Sequence, residues 1–336
     1  MAKQYVQPEI DIVEVDANDG NKYSLPYGIA KGLGLDTTGM RPREVWDMLK
    51  GRGITPENEY DKLKEKAQQE LPKEKVEVKE VISRKEDLEK WGAENNVNVK
   101  GFFENAPSEE VAVEQASKYV ELYKQFPINK NKGETAFSFE TLGGSTAGRC
   151  SYNYREDSIK IALNKSGTGD VKAAEEQIKM GFWSQASEEN YKYQTLVHEY
   201  GHAIEYNVCS MLGVDEEIDK EVGALLQKAY ADYRVASQFK KKSKELITSI
   251  RKKNFYDKIF PEIFKEAKSI DANIAIPNRI TKDGYKTAPR ISGYGATSWA
   301  EYFAESFANG LCGKPTAIGT ATVSVVRRIY KGDFKW

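Results

Sequence analysis

The chain of 336 residues holds two histidines, His198 and His202, and both lie in the stretch TLVHEYGHAIEY at 195–206. On an α-helix, residues four apart stand one above the other, so the two imidazoles can reach a single point. The H-E-x-x-H spacing is that of a metal-binding pair. Glu199 is rotated about 100° around the helix from His198. Its carboxylate therefore lies beside the open coordination position rather than on the metal, where a general base belongs. Packing alone can put two histidines on one face, but it gives no reason for the glutamate. Leu196, Val197, Ala203, Ile204 and Tyr206 supply apolar positions and no proline occurs from Glu188 to Leu212, so a helix is expected. Gly201 costs about 1 kcal/mol of helix propensity relative to alanine; its missing side chain is expected to leave room near the metal.

A catalytic zinc keeps three protein ligands and one open position, so two histidines are incomplete. The chain has no third histidine, and Cys150, Cys209 and Cys312 show no C-x-x-C spacing, so the third ligand must be Asp or Glu. The candidate stretch is GYGATSWAEYFAESFANG at 293–310. Ser298 or Thr297 can cap a helix packed through Trp299, Phe303, Ala304, Phe307 and Ala308. Glu301 and Glu305, four apart, share one face. Two acids stacked on an otherwise apolar helix either face solvent or serve a site.

Together, HEYGHAIEY and SGYGATSWAEYFAESF resemble the metallopeptidase domain of anthrax lethal factor and its relatives. Those proteins carry an H-E-F-G-H-A helix and, downstream, a Tyr-Gly turn followed by an E-F-F-A-E-A-F helix. The resemblance spans roughly residues 81–336. It implies an α+β, zincin-like fold: a small twisted mixed sheet, a metal-binding helix and a helical C-terminal lobe. It also implies a zinc endopeptidase of the gluzincin type, with one Zn2+ per chain and a protein or peptide substrate. By that resemblance His198, His202 and Glu301 would be the zinc ligands and Glu199 the general base. Tyr294 would stabilise the oxyanion, and Glu305 would hold a ligand imidazole in its tautomer. The interval from His202 to Glu301 is lengthened by a basic helical insertion, and the first 80 residues do not resemble the toxin's other parts. Domains of this family are also similar to C-terminal modules of phage head-associated and mobile-element proteins, a setting that LPYGIAKGLGLDTTGM suits.

The elements that must position these residues follow from pattern. Residues 1–55 read as a small helical module. In it, Thr37 or Thr38 caps a helix started at Pro42, with Val45, Trp46 and Leu49 inward and Gly51 or Gly53 at its end. Gly28, Gly32 and Gly34 follow no strand and make no phosphate loop. Residues 56–80 are rich in Glu, Lys and Gln and read as a charged linker or helix. The remainder, 81–336, begins with a helix from Ser83 to Asn95, a strand in NVNVKGFF, and a helix opened by Pro107 and running to Phe126. ETAFSFET, RCSYNYRE and SIKIALN read as strands, the last two joined by a hairpin turn at Glu156–Asp157. In the last of these, Ile159, Ile161 and Leu163 alternate with Lys160 and Ala162, so the strand is expected to line the substrate cleft, with an extended peptide adding beside it. Around 216–268, helices from Glu216 to Lys244 and Lys244 to Lys268 are expected, with Leu246, Ile247 and Ile250 inward. The residues from Ala272 to Arg290 are expected to shape the pocket.

Composition bounds the rest. With 40% hydrophobic and 11% aromatic residues the chain can bury a core, as one large or two modest domains. A formal net charge of −1 argues against a whole-chain polyanion binder. The cysteines read as reduced thiols. No apolar leader or span of 18 apolar residues is seen, so a cytoplasmic or virion-associated location and no membrane partner are expected. The competing reading is a phage head or packaging protein. In it the zinc is structural, the N-terminal module joins a larger assembly, and Lys240, Lys241, Lys242, Arg251, Lys252 and Lys253 contact nucleic acid.

Overall fold

The computed structural model describes residues 14–16, 22–24, 29–30, 33–54, 82–128, 133–153, 156–276 and 288–334. The chain divides into two compact units, Met1–Glu80 and Val81–Trp336. In the first, β1 (Glu14–Asp16) pairs antiparallel with β2 (Lys22–Ser24). Helix α1 (Pro42–Lys50) buries Val45, Trp46 and Leu49 with Ala30. The helix starts at Arg41 rather than at a threonine: the Arg41 backbone N–H donates to Glu44 Oε2 at 2.7 Å, while Thr38 donates both its N–H and its hydroxyl to Asp36 Oδ1. The expected linker at 56–80, and Gly28 and Gly32, lie outside the described residues.

The second unit is α+β, predominantly helical, with a small mixed four-stranded sheet. It opens with α2 (Lys85–Asn95), β3 (Val97–Asn98) and α3 (Phe102–Asn105); of NVNVKGFF only two residues pair as strand, because GFF already turns into α3. Helix α4 (Glu109–Gln125) follows Pro107 and is capped by Ser108, whose Oγ accepts from the Val111 N–H at 3.2 Å. Strands β4 (Thr135–Glu140), β5 (Gly148–Asn153) and β6 (Ser158–Asn164) complete the sheet in the order β3-β4-β6-β5. Strand β4 runs parallel to β3 and β6, and β5 runs antiparallel to β6. One face of the sheet carries Phe137, Phe139, Ile159, Ile161 and Leu163 into the helical core. On the other face Glu140 pairs with Lys160 and with Arg149.

This topology corrects the expected cleft strand. Strand β6 has neighbours on both edges, so no peptide can pair with it, and Ile159, Ile161 and Leu163 are core residues with at most 1% exposure. Their alternation records which face is apolar and says nothing about which strand is outermost. Among the described residues no strand pairs with the outer edge of β5.

After the sheet come α5 (Val171–Lys179), a 3-10 turn at Glu188–Tyr193, and α6 (Gln194–Met211), which carries both histidines. The charged region forms α7 (Val214–Ala231), α8 (Tyr233–Ala236), α9 (Phe239–Asn254) and α10 (Phe260–Ile270). The break falls at Asp232, whose extended backbone stops α7 and whose carboxylate accepts from the Arg234 N–H, so the helix expected to reach Lys244 ends earlier. As expected Ile250 is buried, with Leu246 and Ile247 packed against the core. Arg251 departs from expectation: it is buried in an ion pair with Glu205 and is not a surface cation. Helices α11 (Trp299–Leu311) and α12 (Ala317–Tyr330) close the unit. Among the described residues no helix is long and apolar enough to cross a membrane.

Candidate metal centre

Helices α6 and α11 supply the centre, and small residues let them approach. A methyl group added at Gly201 would stand 3.0 Å from Ala304 Cα. The missing side chain therefore makes room for the backbone of α11, not for the metal as expected. At the start of α11, Ser298 is the cap, its Oγ accepting from the Glu301 N–H at 3.2 Å. Trp299, Phe303, Ala304, Phe307 and Ala308 are all buried. Neither acid is free in solvent: Glu305 is buried and Glu301 half-buried.

His198 Nε2 lies 3.0 Å and His202 Nε2 3.2 Å from the same oxygen, Glu301 Oε2. The three donor groups, within 4.8 Å of one another, could hold a metal ion. Two nitrogens and a carboxylate oxygen suit zinc, and atoms bound tetrahedrally at about 2.0–2.1 Å stand about 3.3 Å apart. The two nitrogen–oxygen separations, 3.0 and 3.2 Å, fall slightly inside that edge length.

Glu305 acts on the far side of the first imidazole. Its Oε1 is 2.8 Å from His198 Nδ1, and its Oε2 accepts the Ser184 N–H at 2.7 Å. Ser184 is fixed in turn by Gln194, whose Nε2 donates to its hydroxyl at 2.8 Å. With Nδ1–H directed at a carboxylate, the lone pair of Nε2 is left to face the centre. Burial alone disfavours a charged His198, but Glu301 and then Glu305 outweigh it and raise its pKa well above the usual value. Burial would likewise raise the Glu301 carboxyl, yet His198 and His202 hold it well below the carboxylate range.

Glu199 is buried beside the two histidines. Burial raises its carboxyl, opposed by the two histidines and by the N–H of Cys150, which donates to it. A methyl group at Gly148 would stand 2.7 Å from Glu199 Cγ, so the start of β5 must be glycine for the carboxylate to sit there. Tyr294 comes from a loop pinned by two backbone bonds, Gly293 N–H to Gly181 O at 2.7 Å and Tyr294 N–H to Phe182 O at 2.9 Å. Its ring centroid is 5.4 Å from that of His198. Burial, then the Glu301 and Glu199 carboxylates, push its phenol up to about 12, so it remains a donor at neutral pH.

His198, Glu199, Tyr294 and Glu305 line a cleft of about 240 Å³ with Phe182 and Trp183. A second cavity of about 380 Å³ shares Ser145, Thr146, Phe182 and Trp183 with it and extends to Gln177 and Tyr191. Thus the six polar residues singled out from sequence meet at one place, while Ile159, Ile161 and Leu163 do not reach it. Sequence reasoning missed Ser184, Gln194, Phe182 and Trp183, which carry no spacing signal, and Gly148, for which a glycine opening a strand is a faint one. Of the pocket-shaping stretch, residues 277–287 lie outside the described residues. Comparison of the chain with protein-family models, with curated proteins and with solved structures finds no match in any of the three.

Proposed function

We propose that the chain is a zinc-dependent endopeptidase with a zincin-like second unit. The observation that carries this reading is the convergence of His198, His202 and Glu301 from two helices, with the Glu199 carboxylate in the same cleft. The resemblance of the two motifs to the lethal factor metallopeptidase domain supports it. His198, His202 and Glu301 would hold the ion. Zinc, when bound, acidifies water and polarises a carbonyl. Glu199 would take the proton from the attacking water and pass it to the leaving amine nitrogen. Tyr294, still protonated, would donate to the oxygen on which negative charge develops.

The substrate path in this proposal follows β5 rather than β6. Among the described residues no strand pairs with the outer edge of β5, whose first residue, Gly148, comes up against Glu199, and an extended peptide adding there would bring its carbonyl to the base. The cavity bounded by Phe182, Trp183 and Tyr191 would receive a neighbouring side chain of the peptide.

The test is metal content by elemental analysis alongside cleavage of a peptide library. Wild type should carry one zinc per chain, and folded Glu301→Ala should lose it. Glu199→Gln should keep the metal and lose cleavage by at least about 10²-fold, the low end for removal of a general base. Wild-type cleavage by Glu199→Gln would refute the mechanism, and a metal-free wild type after zinc loading would refute the reading as a whole.

A further inference from the structure

Arg251 lies in the helical insertion, away from the metal donors, yet one side chain there touches two elements that build the centre. Its Nη2 pairs with Glu205 on α6, one turn beyond His202, and both residues are buried. Its guanidinium lies 3.7 Å from the ring centroid of Tyr206 and 5.9 Å from that of Tyr152. Those two rings are themselves stacked at 4.8 Å with a tilt of 32°. Tyr152 belongs to β5, two residues beyond Cys150, whose N–H donates to Glu199. A planar cation fits this place: it meets a carboxylate at its edge and aromatic rings at its face, which a lysine does less well.

We infer that Arg251 is a positioning residue: through Glu205, Tyr206 and Tyr152 it locks α9 of the insertion to α6 and to β5, and so fixes the general base relative to the metal ligands. The inference rests on the proposed reading of the centre for its purpose, but the lock itself is independent of metal. It gives the helices between 214 and 254 a role as the back wall of the site.

Hydrogen exchange read by mass spectrometry on the full chain tests the lock. Arg251→Met alone would strand a buried carboxylate and could unfold the unit, so the decisive variant is Glu205→Gln with Arg251→Met, which removes both charges together. Exchange at 148–153 and 199–206 should rise at least tenfold, with 109–125 and 317–330 at wild-type rates; Arg251→Lys, keeping the charge but losing the stack, should fall between. Unchanged exchange at β5 and α6 would overturn the proposal. So would a uniform rise across the unit, which a purely structural pair would give. On the same samples zinc affinity, by chelator competition, should fall at least fivefold in the double variant; wild-type affinity with raised local exchange would also overturn the positioning role. A wild type that binds no zinc would sink the peptidase reading while exchange still decides the lock.

Discussion

Glu305 shows how much of the centre rests on single atoms. Each of its oxygens has a separate partner, His198 Nδ1 and the Ser184 N–H, and both partners are donors. Glu305→Gln presents an amide N–H to one of them, so the imidazole turns or the loop shifts. Zinc affinity should fall about 10–100-fold, the usual loss when a ligand's hydrogen-bonding partner is changed. Chelator competition would read it, and an unaltered affinity would show that Glu305 does not orient His198. Gly148 gives a complementary case, since the atoms nearest a methyl group there belong to Glu199 and Thr195. Gly148→Ala should retain zinc and slow cleavage about 10²-fold, the scale of a displacement of roughly 1 Å; loss of metal instead would mean that β5 also supports the donors. At this scale the sequence was informative where chemistry forces a spacing. His198, Glu199 and His202 were legible because a helix dictates their geometry, and Glu301 with Glu305 because acids on an apolar helix need a reason. Ser184 and Gln194 were not, because a backbone N–H and an amide carry no mark of the carboxylate they serve.

Between elements, the α6–α11 contact controls the distance from the two histidines to Glu301. Gly201→Ala gains about 1 kcal/mol of helix propensity, but the added methyl meets the backbone of Ala304 at 3.0 Å. Overpacking of this kind costs about 1–3 kcal/mol, and packing should win. A net loss on the order of 1 kcal/mol lowers Tm by about 2–4 °C for a unit of this size. Calorimetry would show it, and zinc affinity should fall in parallel as the helices part; a more stable Gly201→Ala would mean that propensity outweighs the contact. Apolar pattern placed α4, α6 and α11 correctly, α4 by one buried stripe and α6 and α11 by burial on most of their sides. It could not order the strands. Ile159, Ile161 and Leu163 alternate in the same way whether β6 is central or outermost, and the neighbour that decides the matter, β4, lies more than a dozen residues away in sequence. Arg251 was misplaced for a related reason: within a run of lysines its charge looks like theirs, and only its contacts with Glu205 and Tyr206 set it apart.

Across the second unit, the three donors lie on two helices separated in sequence by α7 to α10, so a metal bound by all three would act as a cross-link in the folded state. Unfolded chain holds no such preformed site, and binding therefore adds to folding stability by RT ln(1 + [L]/Kd). At free zinc near 100 times Kd this is about 2.7 kcal/mol, which for a unit of this size raises Tm on the order of 5–10 °C. Removing zinc with a chelator should lower the transition by that amount, and restoring zinc should recover it. Glu301→Ala, if folded, should melt at a lower temperature and respond little to the chelator, because its α11 no longer contributes a donor. A transition in wild type that is indifferent to zinc and chelator would argue that His198, His202 and Glu301 are joined only by their own hydrogen bonds. A chelator effect of equal size in Glu301→Ala would place the stabilising ion on other residues.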